Sequence, residues 1–287
     1  MMVYPALVLQ QIIASSTHVV AKNITYDLSP AVLLFFRAGI AAFIYLVWLA
    51  VRWKKVKRLE KKDILTLLIL GILNVPVNQL LFFTSVHMTT APNVALAYAL
   101  SPAFVYVIAA IFLKEKSSFL KLSGIFLAFA GTFLIIFNRG FDLSSEYFLG
   151  NILILIASFS WALYTVIGRN ISRKYGAVNS TAMSMIIGYI LYLPIFLILP
   201  QQVDLSIIEP VHWVQLVYLG LFTSVVGYAL WYFGLTKIDA GRVAVFNNVQ
   251  PVLTTILSMI FLSYTISIEF VIGGVLIITG VIITQRL

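Results

Sequence analysis

Three polar groups interrupt an otherwise apolar chain. Asn74, Asn78, Phe82 and Ser85 recur at helical spacing, Tyr98, Ser101 and Pro102 cluster, and Asn247, Gln250, Pro251 and Thr254 form a third set. Polar side chains within long apolar helices are costly, so they turn toward a bundle interior or a wet cavity. A proline beside them removes a backbone donor and frees a carbonyl, which makes Pro102 and Pro251 expected helix breaks. Amides and hydroxyls of this kind bind a polar solute; the same groups also serve as hydrogen bonds between helices. Aromatic residues are the second element. Trp161 and Tyr164, and Tyr228, Trp231 and Tyr232, suit the wall of a cavity for amphipathic solutes, and their faces attract amines. Packing and interfacial belts are the plainer use of such rings. The expected substrate-binding set is therefore Asn78, Phe82, Tyr98, Ser101, Trp161, Tyr164, Tyr228, Trp231, Asn247 and Gln250.

Titratable groups are sparse. Arg37 is the one charge well inside an apolar run, suited to meet a substrate carboxylate or helix-end carbonyls. Lys22 lies nearer a helix end, as a topology or gating residue. His18, within the first run, is a group that can titrate and gate. His18, His87 and His212 lack metal-ligand spacing, so no metal or other cofactor is expected. No carboxylate falls mid-run, which weakens carboxylate-based proton antiport. There is no HExxH, no paired intramembrane carboxylate and no Gly-rich phosphate loop. A lipid-modifying membrane enzyme is thus the weakest reading, and the chain is not expected to be an enzyme.

The elements that must position these residues are read from composition. Of 287 residues, 61% are hydrophobic and 10% charged, with a mean hydropathy of +1.03. Apolar runs fall at roughly 3–22, 31–51, 64–86, 92–113, 118–137, 147–168, 178–199, 213–235, 241–262 and 268–286. Each is long enough for a hydrocarbon layer about 30 Å thick, where backbone groups must bond within a helix. The absence of cysteine excludes disulfides and thiolate chemistry. The N-terminus does not resemble a cleaved signal peptide. The net charge of +9 reflects basic loops on one side rather than a nucleic-acid partner. With the Arg52–Asp63 loop inside, sixteen basic residues fall inside and only Lys22 and Arg139 outside. Both termini are then cytoplasmic, in a multi-pass protein of the cell (inner) membrane.

Residues 70–135 repeat as 219–284 in one register. Gly71 meets Gly220, Tyr98 meets Asn247, Ser101 meets Gln250, Pro102 meets Pro251, Gly124 meets Gly273 and Gly131 meets Gly280. Lys22-Asn23-Ile24 answers Arg169-Asn170-Ile171 at a slightly different offset, while Arg37 falls opposite Ser184. A duplicated helix set is the usual sign of a secondary transporter. The expected fold is an all-α integral membrane protein with ten transmembrane helices, arranged as five-helix repeats over 1–138 and 147–287. Asn138–Glu146 is the linker. Because five is odd, the second copy inserts upside down, a pair suited to alternating access.

The chain resembles the drug/metabolite transporter superfamily in its EamA-type ten-helix branch. The resemblance rests on Phe35-Phe36-Arg37-Ala38, Ala91-Pro92-Asn93-Val94-Ala95, Ser101-Pro102, Leu113-Lys114-Glu115, Gly124, Gly131, Ser160-Trp161-Ala162-Leu163-Tyr164, Gly241-Arg242-Val243-Ala244 and Gln250-Pro251. The pattern is departed from at Ala14, where a tryptophan is common, and at Tyr264, opposite Glu115. The resemblance implies an exporter of a small organic metabolite: an amino acid, an amine or a drug-like solute. Nucleotide-sugars or phosphorylated solutes, which related branches carry, are the alternative. They call for several basic cavity residues, and only Arg37 and Lys22 qualify. The expected partners are the small-molecule substrate and the lipid bilayer, with the protein a monomer or homodimer.

Overall fold

The computed structural model describes residues 2–54, 57–113, 119–136, 145–199 and 208–285. Glu115 and residues 138–144 of the expected linker lie outside them. Among the described residues the regular structure is helical throughout. Eight helices are long and apolar enough to cross a membrane. They are α1 (Val3–Ile24), α2 (Pro30–Val51), α3 (Lys61–Met88), α4 (Ala91–Ile108), α6 (Glu146–Tyr175), α7 (Ala177–Ile198), α8 (Pro210–Lys237) and α9 (Ala240–Phe261). Two more, α5 (Phe119–Ile136) and α10 (Ile268–Gln285), have 18 residues each and shorter apolar cores, Ser123–Ile135 and Ile268–Ile283.

Local chemistry sets the ends. Ser29 caps α2 by accepting from the Val32 N–H at 3.4 Å, with Pro30 at the first position. Thr90 caps α4 ahead of Pro92, and Ser145 caps α6. These side chains satisfy donors that the first turn leaves open, where proline has none to lose. Gly176, at φ 86°, makes the turn between α6 and α7. One expected boundary is corrected: α6 does not stop near 168 but runs to Tyr175. Its last turn carries Arg173 and Lys174, which suit a helix C-terminus.

Several helices are not uniform. α4 is interrupted at Leu100, so that Ser101 and Pro102 open a new segment. α9 passes through a 3₁₀ stretch at Val245–Val249 before Gln250 and Pro251. α3 and α8 each contain a π-helical stretch, Leu73–Gln79 around Pro76 and Leu219–Gly227. The sequence periodicity did not foretell these wider turns, which often accompany functional sites.

α5 and α10 pack along their length through glycines. A methyl on Gly131 would lie 2.5 Å from the Gly273 carbonyl oxygen, and one on Gly280 would meet the Gly124 oxygen. Since 131 faces 273 and 124 faces 280, the two helices run antiparallel.

Candidate functional site

Both π stretches, with Tyr98 just ahead of the α4 break and Gln250 just after the 3₁₀ stretch, line a cavity of about 70 Å³. At ~10–15 Å³ for each enclosed water, it has room for roughly five. Five side chains reach it from α1, Gln10, Ile13, Ala14, Thr17 and His18. Arg37 enters from α2, Asn78, Gln79 and Phe82 from α3, and Tyr98 from α4. Trp161 of α6, Thr223, Gly227 and Tyr228 of α8, and Gln250 of α9 close it.

A chain of amides joins α1 to α9. Gln11 Nε2 donates to Gln10 Oε1 at 2.6 Å and to Asn247 Oδ1 at 3.2 Å. Gln250 Nε2 donates to Gln11 Oε1 at 2.8 Å and Asn247 Oδ1 at 3.1 Å. Its own Oε1 lies 2.8 Å from His18 Nε2, which therefore carries the proton and donates. His18 Nδ1 has no hydrogen-bond partner among the described residues. Phe82 and Tyr98 hold the imidazole ring at centroid distances of 5.3 and 5.8 Å. Opposite, Asn78 Nδ2 donates to the Tyr98 hydroxyl at 2.7 Å and to the Ala157 carbonyl at 2.8 Å. Trp161 meets Tyr228 edge-on at 5.2 Å and Tyr98 at 6.5 Å. Arg37 is 3% exposed. Its Nε donates to the Leu219 carbonyl at 3.4 Å, and its guanidinium lies 5.0 Å over the Phe83 ring.

Of the residues singled out from sequence, His18, Arg37, Asn78, Phe82, Tyr98, Trp161, Tyr228 and Gln250 meet at the cavity. Others stand behind it. Asn247 holds the amide chain, Ser101 shares a hydrogen bond with Ser158 at 3.3 Å, and Tyr164 with Ser184 at 2.9 Å. Trp231 Nε1 donates to Thr165 at 3.1 Å. Asn74 accepts from Gln79 at 2.8 Å, and Ser85 donates to the Gly150 carbonyl at 2.7 Å. Lys22 is elsewhere: its Nζ donates to the His87 carbonyl at 2.9 Å, beside the Tyr26 ring. Sequence reasoning missed Gln10, Thr17, Gln79, Thr223 and Gly227. Two signals were available, the adjacent amides Gln10 and Gln11 in the first run and Pro76 inside the third.

Polar side-chain pairs tie both ends of the bundle, the length of α2 apart. At one end Lys174 Nζ bonds Asp63 Oδ2 at 2.5 Å and Glu60 Oε2 at 2.7 Å, and the Tyr175 hydroxyl donates to Asp63 at 2.6 Å. Lys174, then Lys62, holds the Glu60 carboxyl below its ordinary range. Arg169 pairs with Asp239 on the same side. At the other end His212 Nε2 lies 3.1 Å from Asp27 Oδ2, and Gln215 donates to Asn23 at 2.7 Å. Among the described residues no three His, Asp or Glu side chains converge as metal ligands.

Known proteins resemble this chain along its length. It is 30% identical over 282 residues to the uncharacterized transporter YyaM of Bacillus subtilis, covering 98% of this chain and 92% of that one. An uncharacterized transporter of Archaeoglobus fulgidus is 29% identical over 280 residues, covering 97% and 95%. A crystal structure at 18% identity shares the fold, with a TM-score of 0.71 over 98% of this chain and 95% of the other. Residues 1–137 and 148–286 each match the EamA-like transporter family. This chain therefore belongs to the EamA-like transporters of the drug/metabolite transporter superfamily, and it is an integral membrane transporter.

Proposed function

We propose that this chain is a secondary transporter that moves a small organic metabolite out across the cell membrane by alternating access. In this reading two inverted five-helix halves, 1–138 and 147–287, enclose the substrate, and both termini are cytoplasmic. The observation that carries it is a polar, aromatic-walled cavity lined from both halves. A carrier that exposes one site to either side needs its site at such a boundary.

Support for the inversion comes from contacts that recur with the halves exchanged. Ser101 bonds Ser158, and its repeat-mate Gln250 bonds Gln11. Phe82 packs on His18, and its mate Trp231 bonds Thr165. A methyl on Gly71 would meet Ile187 at 2.7 Å, and one on Gly220 would meet Ile40 at 2.7 Å. Asp63 pairs with Lys174, and its mate His212 pairs with Asp27. The antiparallel α5–α10 glycine pairs match as well. A two-fold that equates antiparallel helices lies across them, which is an axis in the membrane plane. His18, Asn78, Phe82, Tyr98, Trp161, Tyr228 and Gln250 then contact the solute. Asn247, Ser101, Tyr164 and Trp231 brace them, and Lys22 belongs to an end closure.

The cysteine-free chain supplies the test. Ala14→Cys, in the cavity, should react with a membrane-impermeant maleimide added to either side of reconstituted vesicles. Asn23→Cys should react from outside only, and Lys54→Cys from inside only. A cavity cysteine reached from one side alone, or both end cysteines reached from the same side, would overturn the reading.

A further inference from the structure

The Arg37 guanidinium is buried against the cavity, and among the described residues no carboxylate lies within ion-pair reach of it. Its polar neighbours are neutral: the Leu219 carbonyl at a long 3.4 Å and the Tyr228 hydroxyl. A guanidinium presents five N–H donors, and those facing the Leu219 carbonyl use few of them. Burying a charge without a counter-charge is costly, so such a group normally has a partner. Arg37 is also the one charged side chain among those lining the cavity.

We infer that the missing partner is the cargo, and that the cargo is a compact organic monoanion bearing one carboxylate. This rests on the reading of the cavity as the transport site. The charge balance selects the class. The cavity wall carries one positive charge. A monocarboxylate brings it to neutrality, whereas a phosphorylated solute with two charges leaves an excess anion, and an amine adds a second cation. A zwitterion neutralises Arg37 but brings an ammonium that finds no carboxylate on the wall. Shape agrees, because the planar fork of arginine matches the two oxygens of a carboxylate. The remainder of the cargo meets the Trp161, Tyr228, Phe82 and Tyr98 rings, and the unpartnered His18 Nδ1 accepts from a cargo hydroxyl.

Efflux of matched probes from vesicles holding the full chain tests this. One set is lactate, alanine, isopropylamine and lactamide. The other is 4-hydroxyphenylacetate, tyrosine, tyramine and 4-hydroxyphenylacetamide. Each is measured against protein-free vesicles. A carboxylate probe should leave fastest in at least one set, saturably. Arg37→Gln should slow that efflux about 30-fold or more, the effect of truncating one member of a buried charge pair, and Arg37→Lys should restore part of it. Saturable efflux of the amine, zwitterion or amide in place of the acid overturns the inference and leaves the carrier standing; this arm uses the unaltered protein and does not depend on any variant folding. Carboxylate efflux that survives Arg37→Gln overturns it as well. Acceleration of none of the eight probes overturns the assignment of this cavity as the transport site.

Discussion

Replacing Gly280 by alanine tests the packing that holds the two halves together. The added Cβ would sit on the Gly124 carbonyl oxygen, 2.5 Å from the Ala128 nitrogen and 3.0 Å from its Cα. These are backbone atoms, so no side chain can swing away. α5 and α10 must instead separate by roughly 1 Å, a gap that forfeits a quarter to a half of each affected van der Waals contact. Overpacking of this kind costs about 1–3 kcal/mol. Gly274→Ala is the matched control, six positions away on the same helix. Its Cβ would meet only Leu96 Cδ2, at an ordinary 3.6 Å. Both changes gain the same helix propensity, so their difference isolates the clash. Thermal unfolding in detergent should put Gly280→Ala below Gly274→Ala by roughly 2–4 °C for each kcal/mol. Gly131→Ala, whose Cβ would crowd the Gly273 oxygen, should behave like Gly280→Ala. Gly131 and Gly280 lie at opposite ends of the crossing, about 10 Å apart by helix rise, but one separation of α5 from α10 relieves both clashes, so the double variant should cost less than the sum of the two. Equal melting of Gly280→Ala and Gly274→Ala would refute the close antiparallel crossing.

Other perturbations follow from the same geometry. Gln250→Leu removes the partner of His18 Nε2 and of Gln11 Oε1 at once; stranding buried polar atoms should cost about 1–3 kcal/mol in a denaturation midpoint, whereas Gln215→Leu, whose bond to Asn23 is exposed, should change little. Trp161→Ala should slow efflux of any transported solute while leaving the fold intact by size-exclusion profile, because the ring packs on the cavity rings of Tyr228 and Tyr98. Glu60 is held below its ordinary value, so its contribution to the end closure is present above the unfolded carboxyl pKa and lost as pH falls through the lower folded value. Maleimide labelling of Ala14→Cys from the Glu60 side, taken as a ratio to that of the exposed Lys54→Cys so that the loss of thiolate at low pH cancels, should therefore rise on acidification and rise less in Glu60→Gln.

The sequence displayed some of this and concealed the rest for definite reasons. Long apolar runs stated the helices, since lipid leaves the backbone no other way to bond. Repeated glycines such as Gly131 and Gly280 kept their register because backbone contact tolerates no substitute. Asn78 and Phe82 were readable by helical spacing, but Gln79 was not. The π turn around Pro76 adds a residue to the local turn and rotates the following side chains, so a 3.6-residue period misassigns that face. Thr223 and Gly227 were hidden in the same way by the stretch at Leu219–Gly227. The pairing of Asp63 with Lys174 and of His212 with Asp27 was beyond periodicity altogether. Those partners come from distant helices, and the carboxylate and the nitrogen-bearing side chain change places between the two pairs, so a search for like residues passes over them.

That reversal has a consequence for the carrier. In the proposed alternating-access reading, both end contacts are made in one structure, so opening to either side requires breaking one of them. They are not equal. Lys174 meets two carboxylates, and Asp63 also accepts from Tyr175, with the Asp63 side chain 15% exposed. His212 meets one carboxylate, that of Asp27, which is 58% exposed and well screened, while its Nδ1 accepts from the Glu209 N–H within its own helix end. The closure at the Lys174 end is thus the stronger, and its loss should shift the population more. Lys174→Met should raise maleimide labelling of Ala14→Cys severalfold from the side that reaches Lys54→Cys and lower it from the opposite side. His212→Leu should do the reverse, and by less. If both variants raise labelling from both sides, the closures do not alternate, and the protein conducts through a continuous path instead.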